Sequence, residues 1–206
     1  MIAFETARNG QLILKKDGRF LGSSFDPAKE ARLWAERAIQ GGHPEEGLIV
    51  LGLGSGYHVA ELLSLTSKPI LVIESDQAIA DGVKEICPAI PASIILVESD
   101  WTRLIERTRF RDAVTRPYRV VTFGPSAQID SGYFPAVERL LIARDRAFFL
   151  LQLKIRPELC AQLDPEAILA LSDELISIKS MARIFSKSSA HSRERRLWRA
   201  LEELIA

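Results

Sequence analysis

The apolar positions change their period twice along the chain. In GQLILKKDGRFLGSS, Leu12 and Leu14 alternate with their neighbours and Phe20 follows on a second arm, with Lys15-Lys16-Asp17-Gly18 between. Alternation broken by an Asp-Gly pair predicts an N-terminal β-hairpin. In FDPAKEARLWAERAIQGG the period lengthens, and Ala31, Trp34, Ala35 and Ala38 fall on one face of a helix. Asp26 suits its N-cap, Pro27 its first position, and glycines 41 and 42 its stop. From Gly47 onward the apolar residues come in short continuous runs, LIVLGL, PILVIES, SIILVES and YRVVTFG, as expected of strands covered on both faces. Helical stretches separate them at about 57–65, 77–86 and 101–108, so strand and helix alternate through four strands. Right-handed crossovers then predict an α/β fold of Rossmann-like, methyltransferase-like type, with a doubly wound parallel sheet.

Beyond Gly124 the pattern changes again. FGPSAQIDSGYF reads as a loop, YFPAVERLLIARDRAFFLLQLKI as a long helix, and a further helix opens at Asp164-Pro165 with Ile168, Leu171, Leu175 and Ile178 at helical spacing. SRERRLWRALEELIA closes the chain as another amphipathic helix. The expected organisation is an N-terminal hairpin and helix over 1–46, a Rossmann-like core over 47–134 and a helical C-terminal appendage over 135–206.

Composition narrows the partners. Lys plus Arg and Asp plus Glu both number 27, so no net field draws the whole molecule to nucleic acid, an anionic membrane or a cationic partner. Arg183, Lys187, Arg193, Arg195, Arg196 and Arg199 make the C-terminal part locally basic, but Glu194, Glu202 and Glu203 interrupt it, which is the pattern of a solvated helical face. No run approaches a bilayer span and no leader precedes the first element, so the expectation is a cytoplasmic protein with no membrane contact. Cys87 and Cys160 lie far apart without neighbouring histidines, and no metal site is expected. The C-terminal helices are candidates for homo-oligomer contacts.

The candidate chemistry lies in LIVLGLGSGYHVAELLSLTSKPILVIESD. Gly52, Gly54 and Gly56 sit between a strand and a helix, where a chain without Cβ atoms turns tightly and lets a ligand approach its amides. The GxGxG spacing, with Tyr57 where GxGxxG needs a glycine, favours a methyltransferase-like loop over a dinucleotide one, and no GKS or GKT follows for a phosphate loop. Glu74, eighteen residues after Gly56, is placed to receive the ribose hydroxyls of an adenosyl ligand such as S-adenosylmethionine or a related nucleotide. Ser55, Tyr57 and Asp76 complete that part of the candidate set, and Glu98 and Asp100, after the third run, offer acceptors for an adenine amino group. The alternative reading is that the glycines serve close helix packing and Glu74 is a solvated strand end. One departure stands out: methyltransferases of the common type usually carry an acid two positions before the first glycine, where this chain has Val50. His58, with Glu61 three positions on, is the one candidate for a catalytic base, with a first-turn polar residue as the alternative. His43 and His191 have no partner acids at ligand spacing. Ser126, Gln128 and Tyr133 follow the fourth strand, close to the sheet's carboxyl edge.

Four stretches together resemble a known family. FLGSSFDPAKEARLWAE, GLIVLGLGSGYHVAELL, LVIESDQAI and TFGPSAQIDSGYFPAVERLL are similar to successive landmarks of the N-terminal module in motility-associated-factor glycosyltransferase-like proteins, over about residues 8–145. The most specific are SxxDPxxEA, from Ser23 through Ala31, and GLGxGYHxxEL, from Gly52 through Leu62. The resemblance implies a Rossmann-like domain preceding a transferase domain that uses a nucleotide-linked donor and acts in flagellin or surface-glycan modification. The AGPSL-type loop that opens that second domain is not matched here, so the chain is expected to be either part of a longer protein or a free-standing module. Three readings follow: a nucleotide-binding or scaffold module, an S-adenosylmethionine-dependent methyltransferase acting on a small molecule or glycan, and a helix-mediated interaction protein.

Overall fold

The computed structural model describes residues 1–41 and 45–142. The chain divides into two compact units, 1–137 and 138–206. Apart from its first residues, the second unit, with the helices expected after 142 and Cys160 and His191, lies outside the described residues, as does His43.

Three strands open the chain: β1 (Ile2–Thr6), β2 (Leu12–Lys16) and β3 (Arg19–Phe20) form an antiparallel sheet in that order. β2 and β3 pair across the expected turn, where Asp17 and Gly18 both have positive φ, as that tight reversal requires. β1, which the hairpin reading did not include, pairs along the whole of β2. Helix α1 (Pro27–Ile39) begins where Asp26 accepts the amide of Lys29 at 3.0 Å. Glu30 reaches back to the amide of Ser23 at 2.6 Å, fixing the chain's entry into the helix.

The core is a parallel sheet of four strands, β4 (Gly47–Leu51), β5 (Ile70–Glu74), β6 (Ile95–Val97) and β7 (Tyr118–Thr122), ordered β6-β5-β4-β7. Helices α2 (Tyr57–Leu65) and α3 (Gln77–Ile86) connect the first three strands. Leu48, Val50 and Val72 pack in one cluster with Ala35 and Ala38 of α1, Val59 and Leu62 of α2, and Ile79 and Val83 of α3. Alternate residues, Ile49, Leu51, Leu71 and Ile73, are equally buried and point to the opposite face. There α4 (Thr108–Val114) lies against β5 and buries Phe110 and Val114. A sheet with helices on both faces explains why its strands are continuously apolar.

Two stretches depart from expectation. The helix expected at 101–108 is a 3-10 turn over Trp101–Glu106, followed by α4. Arg107 between them adopts extended backbone, and its guanidinium donates from Nε to buried Glu98 at 2.7 Å. FGPSAQIDSGYF is not a plain loop: Gly124-Pro125 starts a short helix, α5 (Gly124–Ile129), and α6 (Tyr133–Ile142) follows, with Asp130 accepting the amide of Tyr133 at 3.0 Å.

A buried serine and a buried leucine are central to how the N-terminal sheet is fastened to the core. Ser55 Oγ accepts from the amide of Leu14 and donates to the carbonyl of Leu21, both at 2.9 Å. Leu14 is wholly buried, and its Cδ2 would lie 2.8 Å from a Cβ placed on Gly82, so α3 and β2 meet because position 82 has no side chain. Lys16 Nζ also reaches Asp76 at 2.7 Å. Leu14→Ala should therefore lower the chemical-denaturation midpoint by the equivalent of about 2–5 kcal/mol, because the cavity opens between β2 and α3. An unchanged midpoint would show that the N-terminal sheet is not part of the cooperative fold.

Candidate functional site

The glycine loop leaves β4 at Gly52 and enters α2 after Gly56, with φ of +93°, +52° and +89° at Gly52, Gly54 and Gly56. Each glycine also has a neighbour that a side chain would strike. A Cβ on Gly52 would lie 2.2 Å from Ser126 Cβ, one on Gly54 2.6 Å from the Phe123 ring, and one on Gly56 2.7 Å from Val83. The missing side chains thus admit α5, the end of β7 and α3.

All five loop amides are bonded within the chain. Gly52 N donates to the Ile73 carbonyl at 2.9 Å, Leu53 N to Glu74 Oε2 at 2.8 Å and Gly54 N to Ser126 Oγ at 3.1 Å. Ser55 N donates to the Leu21 carbonyl and Gly56 N to the Leu53 carbonyl, both at 2.9 Å. Between the loop and the start of α1 lies a gap of about 10 Å³, room for at most one water, bordered by Gly22, Pro27, Glu30, Ser55, His58 and Phe123.

Glu74 is fully buried. Besides Leu53, it accepts the amides of Ser75 at 2.8 Å and Asp76 at 3.2 Å through Oε1. Burial raises its pKa, opposed by those three amides and by the charge of Lys16. Loop and carboxylate converge as the sequence spacing requires, but they bind each other. Asp76 caps α3 through the amide of Ala78 and pairs with Lys16, and Asp100 caps the 3-10 turn through the amide and hydroxyl of Thr102. Tyr57 donates its hydroxyl to the carbonyl of Leu12 at 2.8 Å. Val50 is fully buried in the core cluster, where an acid would have no partner.

His58 lies behind the loop. Its ring stacks on Phe123 at 3.7 Å between centroids and meets Trp34 edge-on at 4.9 Å. Nε2 stands 3.1 Å from the Gly52 carbonyl, which can only accept, so Nε2 carries the proton. Burial pushes the pKa down to about 3, partly offset by that bond. The neutral ring thus holds the loop and fastens β7 to α2, and it makes no bond to Glu61 in this arrangement.

Ser126, which the sequence places only close to the sheet's carboxyl edge, is the partner of the Gly54 amide. The Gly-Pro step before it is the signal of a helix start that would turn its hydroxyl toward the sheet. Tyr133 is also buried, and among the described residues its hydroxyl has no hydrogen-bond partner. Burial raises its pKa, with Glu74 and Glu98 adding to the effect, so it stays a neutral phenol. Gln128 contributes its carbonyl to Arg19 at 3.0 Å and is exposed.

No protein family, no curated protein and no solved structure matches this chain. Among the described residues, no helix is long and apolar enough to cross a membrane.

Two outcomes test this geometry. Gly52→Ala should destabilise the fold by more than the roughly 1–2 kcal/mol that a left-handed backbone costs an alanine, because its Cβ meets that of Ser126. Ser126→Gly also removes the acceptor of the Gly54 amide, so the contact is read from the coupling: that change should cost less in the Gly52→Ala background than in the parent chain; strictly additive losses in denaturant melts would rule out the contact. The second outcome concerns pH. A histidine held neutral in the fold binds fewer protons than in the unfolded chain between pH 6.5 and about 3. Stability from His58 therefore falls as pH drops through that window, by up to roughly 1.4 kcal/mol per pH unit. Glu74, with its raised pKa, acts in the opposite direction, favouring the fold at low pH and losing that contribution as pH rises. Comparison with His58→Gln, which keeps a donor but does not titrate, isolates the histidine: the variant's stability curve should be flatter below pH 6.5. Parallel curves would mean that the ring is not held neutral.

Proposed function

We propose that this chain is a Rossmann-like scaffold module of the motility-associated-factor type, whose cofactor crevice is filled by its own segments. The observation that carries the reading is the occupation of every loop amide and of Glu74 by protein groups. A ligand in that position would have to displace Ser126, Leu21 and the Glu74 contact together. The strand order β6-β5-β4-β7, with helices on both faces, supports a doubly wound module in which the methyltransferase-like loop serves packing. The association with flagellin or surface-glycan glycosylation rests on the sequence landmarks between Ser23 and Ala31 and between Gly52 and Leu62. On this reading the module works in the cytoplasm beside a transferase domain, and catalysis belongs to that partner.

A second reading, an S-adenosylmethionine-dependent methyltransferase, draws on the convergence of the Leu53 amide and the Glu74 carboxylate. It requires α5 and the N-terminal sheet to move away from the loop. The interaction-protein reading rests on helices outside the described residues. A thermal-shift screen of S-adenosylmethionine, nucleotides and nucleotide sugars separates the first two. Ligand at a hundredfold excess over its Kd would stabilise the fold by about 2.7 kcal/mol. The scaffold reading predicts no shift with any of them. A rise in Tm with S-adenosylmethionine that disappears in Glu74→Gln would overturn it in favour of the methyltransferase.

A further inference from the structure

We propose that the outer edge of β6 carries a separate site for a small phosphorylated ligand with an apolar body. Between α3 and the start of α4 lies an open cleft of about 460 Å³, within the range of small-molecule sites. Its floor is apolar, made by Ala80 of α3 and by Ile95 and Val97 of β6. Its rim carries three cations, Lys84, Arg107 and Arg109, and no carboxylate among the residues that line it.

The state of each cation fits an anion arriving from solvent. Arg109 is held in place by neutral acceptors alone: its Nη1 donates to the carbonyls of Ala92 at 3.4 Å, Ser93 at 3.2 Å and Ile95 at 3.1 Å. Among the described residues no carboxylate lies within ion-pair distance of it, although it also borders the neighbouring hollow that Glu45 and Asp112 line, so its charge is free of a direct ion pair where it meets the cleft. Arg107 is anchored from beneath by Glu98, while 42% of its side chain remains accessible. Lys84 pairs with Asp81 at 2.7 Å, but both side chains are 57% exposed, and a surface pair of this kind exchanges partners at little cost. Two pre-positioned guanidinium groups and one mobile ammonium around an apolar floor are the elements of phosphoryl recognition: charge-assisted bonds for the anion and burial for the body attached to it. The cleft lies along the sheet's side edge, apart from the glycine loop, so it is available while that loop stays closed.

The test is a titration of the isotope-labelled full chain with phenyl phosphate, followed by backbone amide shifts, with inorganic phosphate as the comparison. Saturable shifts centred on Ala80, Ile95 and Arg109 are expected at millimolar ligand, with weaker binding of inorganic phosphate, which lacks the apolar body. Lys84→Gln, an exposed change that leaves the fold intact, and Arg109→Gln should each weaken binding roughly tenfold, the loss expected for one charge-assisted bond. The proposal is overturned if no residue of the cleft shifts, if both variants bind as the parent does, or if inorganic phosphate binds as tightly as phenyl phosphate. Shifts centred instead on Leu53 and Gly54 would place the anion at the glycine loop. That would overturn this proposal and count against the closed crevice as well, whereas silence at both places leaves the scaffold reading standing.

Discussion

The fold turns on the hydrogen bonding of one five-residue loop. A strand-to-helix turn of this kind presents several backbone N–H groups that regular structure does not use, and buried amides left unpaired cost free energy. Here the Leu53 amide goes to Glu74, the Gly54 amide to Ser126 and the Ser55 amide to the carbonyl of Leu21. These partners come from the end of β5, from α5 and from the N-terminal sheet. One loop thereby joins the carboxyl edge of the sheet to two segments that lie far from it in sequence, and the small sheet gains a docking place that its own few strands would not supply.

The same joint sets the electrostatics of the interior. A buried carboxylate is tolerated at position 74 because backbone amides surround it and Lys16 stands near. A buried histidine is tolerated at position 58 because it stays neutral, with one nitrogen donating to the Gly52 carbonyl and its face against Phe123. In a cofactor site both groups would ordinarily turn toward the ligand. Here both turn toward the loop backbone, one accepting from the residue after Gly52 and the other donating to Gly52 itself. The two side chains brace the turn at successive residues, which accounts for the burial of both polar groups.

Much of this architecture was legible from periodicity. The spans of α2 and α3 follow from their apolar spacing and from Gly56 and Asp76 at their starts. Strand β6 is shorter than its apolar run because Ala92, Ser93 and Ile94 form a 3-10 turn, and a short apolar run does not reveal where pairing stops. β1 escaped notice because IAFET pairs at an exposed edge and shows no clean alternation. At the site, spacing identified Glu74 as the residue that meets the loop. It placed Ser126 near the same edge without showing which amide its hydroxyl takes, and it gave no sign of Leu21, whose carbonyl leaves no trace in residue type.

That limit has a physical origin. A phosphate or carboxylate approaching a glycine loop needs amides that point outward and no Cβ in the way. A neighbouring stretch of the same chain needs the same two things, and presents carbonyl and hydroxyl oxygens in place of anionic ones. GxGxG at a strand exit therefore records a demand for close approach and leaves the approaching group unspecified. What discriminates is which atoms stand where the missing side chains would be: a Cβ on Gly52 meets Ser126, one on Gly54 meets Phe123 and one on Gly56 meets Val83. In this chain the three glycines each admit a different protein neighbour, and the amides of the same loop are bonded to groups those neighbouring segments bring.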